Sequence, residues 1–284
     1  MAQVVGIIGL GTMGAGIAEV CLAAGHEVLA YDGFADARSR GSERIAKGLA
    51  RRVEKELMTA ADADAALARL AVHEELAGLA GCDIAIEAVA EIPEVKHALF
   101  AELGALLRDD AILATNTSAL SVTAIAEASG RPSRVVGLHF FNPAPVMRLV
   151  EVVRTPLVDP EVLAAAIEFA EGLDKEAVPC PDTPGFLVNR VLVPMLNDAV
   201  RTLAETGVAP EDLDRALKAG AGWPMGPLAL IDLIGLDVQM HASQAIAEGL
   251  GEPHFAPHPL LVDLVEQGRL GRKSGAGFHE YPPR

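Results

Sequence analysis

His139 and Glu151 are the residues that first suggest chemistry. His139 stands alone among apolar neighbours in Arg134-Val135-Val136-Gly137-Leu138-His139-Phe140-Phe141, a run that reads as a buried strand. The next apolar run, Leu149-Val150-Glu151-Val152-Val153, follows Asn142-Pro143-Ala144-Pro145 too closely for a helical crossover, so the two strands should pair antiparallel. A hairpin centred near Pro145 places 139 opposite 151, since 145 is their midpoint. Opposed side chains lie about 5 Å apart at Cβ. A carboxylate at that range can fix the imidazole tautomer and stabilise the imidazolium, which makes a general base. Taken alone, a lone strand histidine is more often structural. Here it lies near the C-terminal end of a parallel strand, where open α/β sheets hold their ligands.

Alcohol oxidation uses such a base, because the hydroxyl proton leaves as a hydride departs. It also uses donors around the developing oxyanion. Ser118, in Thr115-Asn116-Thr117-Ser118, follows another strand's C-terminal end and either supplies such a donor or caps a helix. Asn189 shares a helical stripe with Val193, Leu196, Val200 and Leu203, so its amide needs a partner, structural or ligand.

A hydride acceptor is suggested at the front of the chain. Gly9-Leu10-Gly11-Thr12-Met13-Gly14 matches G-x-G-x-x-G, follows the apolar run Val4-Val5-Gly6-Ile7-Ile8, opens a helical stretch that Gly25 stops, and precedes Val28-Leu29-Ala30-Tyr31. Gly9 permits the turn, Gly11 a close approach to a pyrophosphate and Gly14 the packing of helix on sheet. The helix N-terminus, beginning at Thr12 and Met13, offers N–H groups to phosphate. Asp32, 23 residues after Gly9, can accept from both ribose hydroxyls of NAD and would repel the 2′-phosphate of NADP; the first Arg after it is Arg38. A flavin nucleotide and a plain glycine turn are the competing readings.

The elements that position these residues follow from periodicity. Residues 36–80 read as helical, with a turn near Met58-Thr59-Ala60. Strands resume at 83–89, 111–115 and 134–141, separated by helices near 93–107 and 121–129. A helix at 160–172 and a strand near 176–180 follow the hairpin. Composition changes at Pro181-Asp182-Thr183-Pro184-Gly185, beyond which no strand pattern appears. Thr183 reads as an N-cap and Pro184 as the first residue of a helix that runs to Gly207, kinked at Pro194. Further helices fall at 210–219, 226–250 and 257–268. Residues 228–238 are apolar almost all round, which suits a subunit interface or a position between helices. The expected fold is α/β, a Rossmann-type mostly parallel sheet domain over 1–182 followed by an all-α domain over 183–284.

A net charge of −16 makes nucleic acid and anionic membranes poor partners. No apolar run approaches the roughly 18 residues of a membrane span. Cys21, Cys82 and Cys180 are far apart and lie among apolar neighbours, as buried reduced thiols do, and no metal-site spacing occurs. With no basic leader or cleavage-type site at the start, the expected location is the cytoplasm.

Taken together the motifs resemble the 3-hydroxyacyl-CoA dehydrogenase family. The matching stretches run in order from Ile8-Gly9-Leu10-Gly11 through Glu87-Ala88-Val89-Ala90-Glu91, Thr115-Asn116-Thr117-Ser118, His139-Phe140-Phe141-Asn142-Pro143 and Asp182-Thr183-Pro184-Gly185-Phe186 to Gly271-Arg272-Lys273-Ser274-Gly275. The resemblance implies NAD as cofactor, His139 as base, Glu151 as its orienter, and Ser118 and Asn189 as oxygen-contacting groups. It further implies that Glu91, Lys96, Asn116 and Asn142 lie near the nicotinamide, that Lys273 lies at the cofactor's edge, and that the chain dimerises through the helical domain. The substrate expected is an L-3-hydroxyacyl-CoA, with a short acyl chain such as 3-hydroxybutyryl.

Residues 38–55 hold seven basic side chains, Arg38, Arg40, Arg44, Lys47, Arg51, Arg52 and Lys55, against only Glu43 and Glu54. In so acidic a chain this island either receives the phosphates of coenzyme A, through Arg44, Lys47, Arg51 and Lys55, or is a solvated helix face. Val53-Glu54-Lys55-Glu56-Leu57 departs from the family's usual Lys-Gly-Lys turn, which leaves the CoA-contacting residues open.

Three rivals stand beside this reading. A β-hydroxyacid dehydrogenase of the 3-hydroxyisobutyrate or phosphogluconate type shares the opening Gly-Leu-Gly-x-Met-Gly but uses a Lys on the first back-domain helix, where this chain has none before Lys218. The same scaffold could act on a sugar acid or 3-hydroxyadipyl-CoA. A non-catalytic homologue is the third, against which the presence of both His139 and Glu151 weighs.

Overall fold

The computed structural model describes residues 2–281; Met1 and residues 282–284, which end the two expected domains, lie outside them. The chain divides into two compact units, Met1–Thr183 and Pro184–Arg284.

The first unit runs β1 (Val4–Ile8), α1 (Thr12–Ala23), β2 (Glu27–Tyr31), α2 (Ala35–Glu54), α3 (Ala60–Leu67), β3 (Leu70–His73), β4 (Ile84–Glu87), α4 (Pro93–Leu106), β5 (Ile112–Thr115), α5 (Val122–Ala128), β6 (Val135–Phe140), β7 (Leu149–Arg154), α6 (Pro160–Gly172) and β8 (Glu176–Pro181). One eight-stranded sheet has the order β3-β2-β1-β4-β5-β6-β7-β8. All pairs are parallel except β6 with β7. Every residue of β4, β5 and β6 is buried, as a sheet covered on both faces requires, and this explains their unbroken apolar runs. The strand order reverses between β1 and β4, the switch point at which such sheets bind ligands.

The expected all-helical stretch 36–80 is corrected by β3. Only four residues long and paired on one side alone, this edge strand buries little, so its alternation is faint. Tertiary bonds set it: Arg69 just before it donates to the carbonyls of Leu22, His26 and Ala65. The turn before α3 was legible, because Thr59 and Asp62 form a capping box.

The second unit is helical: α7 (Val188–Thr206), α8 (Pro210–Ala221), α9 (Pro227–Ile234), α10 (Leu236–Leu250) and α11 (Pro259–Glu266). Two expectations fail here. The first helix begins at Val188, not Pro184, because Gly185 (φ +78°) and Phe186 (φ +44°) take left-handed conformations that no α-helix contains. The single helix over 226–250 is two, broken at Gly235 (φ +108°). A Cβ at Gly235 would press on Asp237 and Lys273, so the break also makes room for that ion pair. Leu196, Val200, Leu228, Ile231, Leu236 and Leu261 form this unit's core. Among the described residues no helix is long and apolar enough to cross a membrane.

Candidate active site

The glycine turn is built as its sequence requires. Gly9 has φ +92°, and its N–H donates to the Tyr31 carbonyl at 2.8 Å. A Cβ at Gly14 would overlap the Gly9 carbonyl oxygen, so α1 can lie this close only with glycine there. A Cβ at Gly11, by contrast, would meet nothing within 4 Å beyond its adjoining backbone. Gly11 is the N-cap of α1 and no side chain caps that end, which suits the amides at Thr12 and Met13 to an anion. Asp32 follows β2, and its carboxylate accepts from the Leu10 N–H at 2.8 Å and the Phe34 N–H at 3.0 Å. It is thereby fixed beside the turn. Arg38 approaches more closely than its sequence distance suggests, donating to the Asp32 carbonyl at 2.9 Å and pairing with Glu74 at 3.4 Å. These residues fit a dinucleotide: an open cradle, an uncapped helix end and a fixed acid.

Next along the same sheet edge is a polar network. Lys96 is only 1% exposed, so its charge must be paired. It bonds Glu87 at 2.6 Å and Glu91 at 3.1 Å. Glu87 also accepts from Thr115 Oγ1 and the Val89 N–H, both at 2.7 Å. Glu91 accepts from Thr117 Oγ1 at 2.5 Å and the Ser118 N–H at 2.8 Å. Burial alone would raise the Glu91 pKa, but the Lys96 charge and these donors outweigh it and hold the carboxyl below its usual range. Ser118 itself is exposed, 3.4 Å from Glu91 through Oγ, and the helix cap belongs instead to Ser121. Asn116 accepts the Phe140 N–H at 2.9 Å, tying the end of β5 to that of β6. Sequence reasoning passed over Glu87 and Thr115 as functional residues. The signal was there: a carboxylate inside a fully buried strand needs a partner.

The β6–β7 hairpin pairs His139 with Glu151 in register. His139 Nδ1 lies 2.7 Å from Glu151 Oε2, with side-chain exposures of 7% and 1%. An imidazole so enclosed has its orientation set by the carboxylate, and the Phe141 ring lies 4.4 Å away between centroids. His139, Ser118, Asn116, Glu91, Lys96 and the glycine turn thus all sit at or just beyond the C-terminal ends of parallel strands of one sheet. Asn142, exposed, lies two residues past the end of β6.

The basic island separates into two groups. Arg38 is held at Asp32 and Glu74, and Arg52 is held by Glu19 at 2.8 Å. Arg40, Arg44, Lys47 and Arg51 recur at helical spacing on α2 and are exposed, and Lys55 is exposed at its end. In the second unit Asn189 lies in the first turn of α7, half-buried, and Lys273 pairs with Asp237 at 2.6 Å. Burial pushes the three thiols up, Cys21 and Cys180 to about 12 and Cys82 to about 11, so they are poor nucleophiles.

Comparisons with known proteins agree with this geometry. Residues 4–183 match the family model of the 3-hydroxyacyl-CoA dehydrogenase NAD-binding domain, and residues 185–281 match its C-terminal domain. A 3-hydroxybutyryl-CoA dehydrogenase of Bradyrhizobium diazoefficiens is 45% identical, with 98% of this chain and 94% of the relative covered. A 3-hydroxyadipyl-CoA dehydrogenase of Escherichia coli is 46% identical over 98% of this chain but 59% of its own length. The crystal structure of an (S)-3-hydroxybutyryl-CoA dehydrogenase from Ralstonia eutropha superposes with a TM-score of 0.96 at 37% identity, both chains covered in full, 100% each. With a Rossmann-type NAD-binding unit and a helical C-terminal unit both matched, the chain belongs to the 3-hydroxyacyl-CoA dehydrogenase family.

Proposed function

We propose that the protein interconverts L-3-hydroxyacyl-CoA and 3-ketoacyl-CoA, with a short acyl chain of the 3-hydroxybutyryl type, and that His139 is its general base. The observation that carries this reading is the enclosed His139–Glu151 pair at 2.7 Å, on the same sheet edge as the dinucleotide turn. Glu151 accepts from Nδ1–H, so proton transfer from the substrate hydroxyl falls to Nε2. Glu151 then stabilises the imidazolium. Ser118 and Asn189 donate to the substrate oxygen, and Asn116 lies near the nicotinamide end. Gly9, Gly11, Thr12, Met13 and Gly14 hold the pyrophosphate, and Asp32 the ribose. Glu91, Lys96, Asn142 and Lys273 border the nicotinamide end. NAD, when bound, supplies the hydride acceptor.

The exposed cations Arg44, Lys47, Arg51 and Lys55 take the CoA phosphates, as a dense basic face in so acidic a chain. The enzyme works in the cytoplasm as a homodimer. Exposed Val191, Met195, Leu233 and Val238 on the helical unit supply the apolar surface for that contact.

Loss of NADH absorbance on mixing with acetoacetyl-CoA tests the reading, and no loss would remove it. A dicarboxylic acyl group, as in the Escherichia coli relative, is the second reading. Comparison of kcat/KM for acetoacetyl-CoA and a dicarboxylic 3-ketoacyl-CoA, each with NADH and NADPH, separates the two.

A further inference from the structure

The connection between His139 and Glu151 is as important as the pair. Residues 141–148 carry the chain from β6 to β7, and Asn142 lies in it. Its own bonds are few: the N–H groups of Val146 and Met147 both donate to the Pro143 carbonyl, at 2.9 and 3.0 Å. Ala144 is buried, and a Cβ at Gly16 of α1 would touch Ala144 and Pro145 at 3.3 Å, so the turn lies against the dinucleotide helix.

Two carbonyls of the turn, Ala144 and Met147, accept from no backbone N–H among the described residues. Lys175 serves both, with Nζ 2.7 Å from the Ala144 oxygen and 2.8 Å from the Met147 oxygen. Its place is dictated locally. Asp174 takes φ +58° to end α6, and the Glu176 N–H then bonds the Arg148 carbonyl at 2.8 Å, the first rung of β8 on β7. Lys175 therefore stands beside the start of β7 and reaches back across the turn. Holding an ammonium there is costly. Burial and the nearby Arg52 charge pull it below the usual lysine range, while Asp174, Glu19 and Cys21 oppose them. Arg52 and Glu19 are themselves an ion pair between α2 and α1, so the cation sits where the basic helix, the dinucleotide helix and the hairpin turn come together.

We propose that Lys175 is a positioning residue for the reaction, fixing through two carbonyls the turn that carries Asn142 and joins the His139 and Glu151 strands. This rests on the proposed dehydrogenase reading, which wild-type turnover tests separately. Lys175→Met removes both bonds and keeps the stem. It lowers kcat on the order of 10²-fold, the scale of an ångström of misplacement remote from the chemistry, and leaves the acyl-CoA KM near wild type. Hydrogen exchange at Val146 and Met147 accelerates, while the amides of β6 and β7 keep their protection. Lys175→Arg, which retains paired donors, recovers most of the lost turnover.

Full turnover in Lys175→Met despite a loosened turn would overturn the proposal. So would a uniform loss of protection across the unit with no recovery in Lys175→Arg. If the Met variant melts below the assay temperature, Lys175→Gln, which keeps one donor, replaces it with the same outcomes.

Discussion

Each unit of this molecule contains a histidine bound to a buried carboxylate, and the two pairs look alike. His139 Nδ1 lies 2.7 Å from Glu151, and His279 Nε2 lies 2.8 Å from Asp214. What separates them is their place in the fold. Asp214 already accepts the Leu228 and Ala229 N–H groups at 2.9 and 3.0 Å, capping α9, and Glu211 faces the second nitrogen of His279 at 3.4 Å. The backbone of the same segment is clasped by Asp232, which accepts from the N–H groups of Phe278 and His279. His279 therefore latches its own segment onto α8 and α9. Glu151 comes from the strand paired with that of the histidine, in the sheet whose C-terminal edge also holds the nucleotide turn. A His–carboxylate distance does not by itself identify a catalytic base.

Removing each imidazole is the strongest way to break this contrast. His139→Gln should lower kcat by ~10²–10⁴-fold, the range for loss of a general base, with NADH binding nearly intact by fluorescence titration. His279→Ala should leave turnover near wild type and instead destabilise the helical unit by about 1–3 kcal/mol, since a buried carboxylate loses a partner. Trp223, the only tryptophan, reports that unit's unfolding. Near-full turnover in His139→Gln would refute its role, and a collapse of turnover in stable His279→Ala would make the two pairs equivalent.

The carboxylates sharpen the comparison with smaller effects. Glu151→Gln should lower kcat by about 10-fold or more, because the anion that stabilises the imidazolium is gone. Asp214→Asn should leave kcat in place and shift only the thermal midpoint. An unchanged kcat in Glu151→Gln would count against the dyad.

Sequence legibility followed physical locality. The hairpin was readable because its eight-residue connection, two apolar strands and one midpoint fix the register without help from the rest of the fold. The glycine turn was readable because glycine is demanded by sterics there. β3 was not, since four edge residues carry too little alternation to outweigh the helical composition before them. The breaks at Phe186 and Gly235 were missed for another reason: a proline and a threonine signal a helix start, but positive φ at the following residues is a tertiary choice. Lys175 was invisible because its partners are backbone carbonyls 28 and 31 residues away, with no side-chain signature.

A third carboxylate, Glu91, extends the comparison to one held by a lysine rather than a histidine. Its folded pKa is depressed, the Lys96 charge and the donors from Thr117 and Ser118 overcoming burial. The stabilisation is therefore fully present above the unfolded value of about 4.3 and is lost as pH falls through the lower folded value. With its side chain 36% exposed, solvent screening keeps the effect modest. Wild type and Glu91→Gln should differ in urea midpoint at neutral pH, followed by far-ultraviolet circular dichroism. The difference should shrink as the pH is lowered from about 5 towards 3, because the wild-type carboxyl becomes neutral there too. A constant difference across that range would mean that Glu91 acts through shape rather than charge, and that Lys96 relies on Glu87 alone for its pairing.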